Sequence, residues 1–280
     1  MIASAALSKR ALSMFGRVFP RTSMIAQAIA FNLFLAFFPT LLIAVGLATS
    51  PIGGRTALFD LISDLTTFLP PGSQQIVSEF LVKRGPDAWK WALVGLGGTL
   101  LAGTQVMRLL MEGIHTIYGD RDRPGFFTRQ LRALLLLILT IAPLLVAAIL
   151  GVFGRPLRQW LGSEFGKDAT VQTWWAVFFH GVAILLAMIA VTIIYRWARP
   201  KEQTLGSVIP GAMIATLLWW VADLVFGFYV RKMPYGIIYG GLAAVIGLLI
   251  WMELSTVIIF LGAAWNAELA ESRRGARAIG

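Results

Sequence analysis

The chain has 280 residues, of which 58% are hydrophobic and only 14% charged, with a mean hydropathy of +0.76. Soluble domains are about 45–50% apolar and about 25% charged, so a soluble globular protein is excluded and an integral membrane protein is indicated. No cysteine is present, which removes disulfides, thiolate catalysis and Cys-ligated metals. The net charge of +10 is scattered between apolar runs and forms no continuous basic face; it reads as charge flanking membrane spans, with no nucleic-acid partner expected.

Residues 1–23 form a cytoplasmic lead-in. Leu7, Ala11, Met14, Phe15 and Val18 fall on one helical side and Lys9, Arg10 and Arg17 elsewhere, the pattern of a short basic amphipathic helix at the interface, with a frayed tail as the equal alternative. The first long apolar run, Ile25 to Ala48, exceeds the roughly 7–15 residues of a signal-peptide core and reads as a retained span.

Six runs are long enough for a hydrocarbon core that takes about 20 helical residues: Met24–Leu47, Trp89–Met111, Ala133–Phe153, Trp174–Trp197, Ser207–Val230 and Ile237–Ala264. The fold class expected is all-α, a single polytopic membrane domain over residues 1–280. With a cytoplasmic N-terminus, the larger share of the 24 Lys and Arg falls in the inner segments, including Arg121, Arg123, Arg129, Arg132, Arg196, Arg199 and Lys201, so both termini are expected in the cytoplasm. Residues 266–280 then form a cytoplasmic tail. Trp89, Trp91, Trp174 and Trp175 mark outer ends and Trp197 and Trp265 inner ends, as an aromatic belt requires. Trp219, Trp220 and Trp251 lie deeper and read as packing or lipid-facing.

The outer segment 49–88 carries its own pattern. Leu58, Leu61, Ile62, Leu65 and Phe68 oppose Asp60, Asp64 and Thr67, Pro70 and Pro71 stop the run, and Gln74–Val82 follows as a second amphipathic piece. One or two amphipathic helices on the outer surface, or capping the bundle, are expected. Pro39 and Pro143 fall inside spans one and three and predict kinks, whereas Pro210 is expected in the first turn of span five. Gly95, Gly98, Ala102 and Gly103 give span two a small-residue face suited to close helix contact, and Gly236, Gly240 and Gly241 allow an irregular start to span six.

Catalytic motifs are missing. His115 and His180 stand alone, and there is no HExxH, no GxSxG elbow, no Walker loop and no acidic cluster with metal-ligand spacing, so neither an enzyme nor a cofactor is expected. What remains is a set of polar residues inside apolar runs. At about 1.5 Å per residue, Glu253 and Asn32 lie about 4 Å to the cytoplasmic side of the span centres and Gln105 about 8 Å, an inner layer that Arg108 reaches from deeper still or leaves by snorkelling. Asp223 and His180 lie roughly 6 and 8 Å to the outer side, as a second layer. Gln105, Arg108, Glu112 and His115 share one helical face. Two readings stay open for all of them: interhelical hydrogen bonding, or a hydrated cavity through which a headgroup or ion passes.

Several stretches carry a resemblance: AxAFNLFLAFFPTLL around Pro39, FLPPGSQQI at Phe68–Ile76, Val94–Gly119 ending in HTIYG, TIAPLL around Pro143, PGAMIATLLW at Pro210–Trp219, and IYGGLAAVIGLLIWMELSTVIIFLGAAWNAEL. In their order and spacing the chain resembles the YihY or BrkB-like virulence-factor family of bacterial inner-membrane proteins. The resemblance implies six helices with both termini inside, a role in envelope integrity and, for some relatives, in handling envelope lipids. It also implies that the old ribonuclease BN label of the family does not describe an activity. Two departures stand out. The family commonly ends its last span in Leu-Gly-Ala-Glu, where this chain has Leu261, Gly262, Ala263 and Ala264, with Glu268 a turn later to substitute; Glu253 stands where relatives more often have an apolar residue. The expectation is therefore an envelope protein that moves or accommodates an amphiphilic lipid, with membrane lipids as partners. An ion-coupled small-solute transporter and a non-transporting assembly protein are the alternatives.

Overall fold

The computed structural model describes residues 13–19, 22–48, 88–120, 125–164, 169–199, 203–232 and 242–279. Six long helices follow in order: α1 (Ser23–Ala48), α2 (Ala88–Tyr118), α3 (Phe126–Glu164), α4 (Ala169–Trp197), α5 (Leu205–Lys232) and α6 (Leu242–Ile279). A short helix at 13–18 precedes them. The molecule is an all-helical, multi-pass membrane protein: α1, α2, α3, α5 and α6 each contain a stretch long and apolar enough to cross a bilayer, and α4 contributes the shorter apolar stretch Gly181–Trp197 among the described residues. The expected amphipathic pieces of the 49–88 segment, and the glycines at 236, 240 and 241, lie outside the described residues.

The helices run past the limits their apolar cores suggest. α2 continues beyond Met111 to Tyr118, α3 begins before Ala133 at Phe126, and α6 continues through the expected tail to Ile279. A helix satisfies its own backbone hydrogen bonds, so its ends are set by caps and packing, and charged residues simply emerge into water or headgroups. Pro210 is likewise corrected: α5 starts at Leu205, which places the proline a full turn inside the helix, beyond the first turn expected for it. Pro39 lies inside α1, and α3 runs through Pro143 without ending.

Lipid-facing stripes are plain on α5, where Ile209, Met213, Leu217, Leu224 and Phe228 are exposed while Val208, Ala212 and Ala215 are buried. Large apolar side chains left uncovered at helical spacing are what a bilayer solvates. Trp220 is also exposed, and Trp251 packs on Phe226 with ring centroids 5.2 Å apart, so these deep tryptophans serve lipid contact and packing.

By its contacts the chain divides into two compact units, one of Met1–Thr22, Met111–Trp220 and Ile258–Gly280, the other of Ser23–Leu110 and Val221–Val257. In the second unit the small face of α2 lies against the proline of α1. A Cβ at Gly95 would stand 2.6 Å from the Pro39 carbonyl oxygen, and one at Gly98 would stand 2.9 Å from the Pro39 ring. Thr40 and Thr99 share a hydrogen bond of 3.2 Å beside this contact. In the first unit Gly113 makes room for the fully buried Phe260, and Gly211 and Gly262 let α5 and α6 meet backbone to backbone.

Candidate functional site

The first unit is held by polar side chains set at helix ends. At the end of α2, Gly119 has φ +66°, Asp120 N–H donates to His115 C=O at 3.0 Å and Gly119 N–H to Thr116 C=O at 3.3 Å. This is the paired closure of a glycine-terminated helix, available to a residue without a Cβ. It carries Asp120 to Arg199, which follows α4. Arg199 Nε and Nη2 donate to the two carboxylate oxygens at 2.5 and 2.7 Å, both side chains being only 9% exposed. The guanidinium lies 3.9 Å over the Tyr118 ring, adding a cation–π contact. One turn back, the buried His115 has Nε2 2.9 Å from the Ala198 carbonyl, which only accepts, so that nitrogen carries the proton. The HTIYG stretch thus encodes a join between the ends of α2 and α4.

A second join ties α5 to α6. Asn266 Nδ2 donates to Val208 C=O at 3.0 Å and its Oδ1 accepts from Gly211 N–H at 2.7 Å, bracing the backbone on either side of Pro210. Tyr195 of α4 donates to the Ile259 carbonyl of α6 at 2.6 Å. A third join fixes the lead-in: Met14 and Val18 are buried, and Arg17 pairs with Glu268 at 3.2 Å and with Glu271 through two hydrogen bonds. The hydrogen bonds that Arg17 donates to Glu271 raise its pKa; partial burial opposes this and the charges of Glu271 and Glu268 add to it. Glu268 therefore serves the lead-in, while Ala264 is fully buried. None of Asp120, Arg199, Asn266 or Tyr195 was singled out by sequence. The signals were a glycine followed by an acid at the end of α2, and an asparagine three and four residues after the small residues Ala263 and Gly262.

The residues expected in a substrate path divide between these units. Glu112 stands 3.8 Å from Arg129 and His115 is engaged at Ala198, so the inner end of the α2 stripe belongs to the fold. In the second unit Asn32 donates to its own helix at Ala28 C=O, 2.8 Å, instead of reaching across. Gln105 and Arg108 are half-buried. Glu253 is half-buried in the spanning stretch of α6 and Asp223 is exposed on α5; among the described residues neither carboxylate takes part in an ion pair or hydrogen bond. Glu253 continues the uncovered stripe of Leu242, Ile246 and Ile250 by one turn. The His180 side chain lies outside the described residues. No group of three or more His, Asp or Glu placed to hold a metal occurs among the described residues.

Each join has at least one partner in a stretch that carries the family resemblance, namely His115, Gly211 and Asn266, Ile259 or Glu268, and a family profile described as Virulence factor BrkB matches residues 20–279. The chain belongs to this family. It is 28% identical over 251 residues to the Bacillus subtilis protein named "Putative ribonuclease-like protein YfkH", covering 88% of this chain and 89% of the relative. It is 27% identical to a UPF0761 membrane protein of Alkalilimnicola ehrlichii, covering 88% of this chain and 54% of that longer protein. A UPF0761 membrane protein of Aggregatibacter aphrophilus is 24% identical, with 89% and 87% covered. No solved structure matches. The two UPF0761 relatives are named as membrane proteins, and of these three names that of the B. subtilis protein carries the ribonuclease-like wording.

Proposed function

We propose that the protein is a bacterial inner-membrane protein with six spans and both termini cytoplasmic, which moves or accommodates an amphiphilic envelope lipid. Supporting the topology, the pairs Arg17–Glu268, His115–Ala198 and Asp120–Arg199 join only segments that the charge bias assigns to the inner side, and Gly211–Asn266 joins the inner end of span five to the tail. An even number of crossings fits the first of these pairs. The lipid reading rests on one observation: Glu253 is an unpaired, half-buried carboxylate at the end of an uncovered apolar stripe. An isolated carboxylate inside a bilayer costs at least ~2.5 kcal/mol, so a polar or hydrated surface beside it is favoured. Acyl chains would lie along the stripe and the headgroup would meet the acid.

The test is reconstitution into liposomes carrying labelled envelope lipids. Lipid translocation or binding is expected, reduced severalfold in Glu253→Gln, and a Glu253→Cys protein should react with a small hydrophilic thiol reagent. A purified protein that neither scrambles nor binds any envelope lipid removes the reading. A second, non-transporting reading is favoured by the placement of Glu112, His115 and Asn32, which serve helix structure. Normal envelope function in cells carrying Asp223→Asn and Glu253→Gln would favour it.

A further inference from the structure

Most threonine hydroxyls inside these helices follow one habit, and the hydroxyls of Thr140 and Ser255 depart from it. Thr40, Thr104, Thr116, Thr192, Thr216 and Thr256 each donate to the carbonyl four residues earlier, at 2.6–2.9 Å. In hydrocarbon this is the default for a threonine, because the donor is satisfied without leaving its own helix. Thr140 of α3 departs from it. The residue is only 4% exposed, yet its hydroxyl has no hydrogen-bond partner among the described residues.

The same turn carries a second unmet group for an independent, covalent reason. Pro143 has no N–H, so the Leu139 carbonyl four residues earlier receives no helix hydrogen bond from it. Two other prolines inside helices, Pro39 and Pro210, are packed by neighbouring helices, though neither contact reaches the carbonyl the proline frees. Pro39 is sheathed by Gly95 and Gly98, and the backbone flanking Pro210 is braced by Asn266. At Pro143 the freed carbonyl has beside it a buried donor without a partner, the Thr140 hydroxyl, one peptide unit away.

We propose that the Leu139–Pro143 turn of α3 is a binding site for an internal water molecule, held by the Thr140 hydroxyl and donating to the Leu139 carbonyl. Water fits on two grounds. Thr140 and Pro143 are buried on α3 together with Ala133, Leu136 and Leu137, while the Leu139 side chain is exposed, and a hydroxyl only 4% exposed suits a ligand as small as water. The ligand must also donate and accept, as buried waters do when they serve two or more polar groups. A water inserted in the hydrogen-bond ladder at a proline makes a permanent bend that can flex, because its bonds reorient without breaking the helix. The site stands whether or not the protein handles lipid.

The experiment uses the full-length protein in liposomes with ¹³C-labelled threonine and measures magnetisation transfer from water by solid-state NMR. The Thr140 signal should appear at shorter mixing times than those of the equally buried, back-bonded Thr216 and Thr256. It should vanish in Thr140→Val, which assigns it, and its serine counterpart should persist in Thr140→Ser with labelled serine. Pro143→Ala supplies the missing N–H to Leu139 and should slow the transfer at Thr140. A Thr140 signal arising no earlier than those of Thr216 and Thr256 overturns the proposal. So does an unchanged rate in Pro143→Ala. The wild-type comparison decides the matter even if the valine variant does not fold.

Discussion

In the unit formed by Met111–Trp220 and the two chain ends, His115, Asp120, Arg199 and Asn266 each meet a partner on another segment, whereas in the unit of Ser23–Leu110 and Val221–Val257 the acids Glu253 and Asp223 meet none among the described residues. The difference is informative because the penalty for taking a polar group out of water is the same in both places. Where partners exist, the penalty is offset and the groups fix how helix ends meet. Where they do not, nothing within the described residues offsets the cost, and the proposed contact with a headgroup would do so.

The largest test of this contrast is the Arg199–Asp120 pair. Removing the cation in Arg199→Ala leaves a buried carboxylate uncompensated, and a loss of roughly 3–5 kcal/mol is expected in detergent or bilayer unfolding. Replacing both residues by apolar ones of similar volume should recover much of that loss, since neither charge is then stranded. If Arg199→Ala were neutral, the first unit would not be the locked one. Asn266→Leu should be next, at about 1–3 kcal/mol in all, for the side-chain partner it takes from Val208 C=O and Gly211 N–H. Chemical denaturation followed by tryptophan fluorescence reads the loss. Asn266→Gln should not restore it, because the longer amide cannot hold both contacts at a glycine crossing this close.

How these features show in the sequence follows the range of the forces involved. Apolar runs reveal the helices because membrane insertion reads local composition, and Gly95 and Gly98 announce a close contact through their spacing alone. The HTIYG stretch was visible as a motif, and its physics was partly local, since Gly119 ends α2 by its own left-handed backbone. Its purpose was not. Asp120 and Arg199 are 79 residues apart and Asn266 is 55 from Gly211, so only the assembled fold makes them partners. The same limit explains Asn32 and Glu253. Depth along each span placed them in one layer, but rotation about the helix axis decides contact, and Asn32 turns to its own backbone.

The smallest expected effect is the sharpest. Glu253→Gln changes one atom and removes one charge, as Asp120→Asn does, and the two should move stability in opposite directions. Asp120→Asn loses the bidentate acceptance of Arg199 and destabilises by a few kcal/mol at about the level of Arg199→Ala. Glu253→Gln relieves a partly buried charge that no described residue compensates, so stability should stay level or rise by up to about 1 kcal/mol, while any activity that needs the carboxylate falls. The measurement is a pair of unfolding curves in the same lipid, with the transport or binding assay run beside them. A destabilisation at position 253 comparable to that at 120 would mean that Glu253 also has a structural partner, and the contrast between the two units would collapse. A gain in stability with a loss of function is the pattern of a residue held in place against the fold's own preference, because a headgroup or an ion must meet it there.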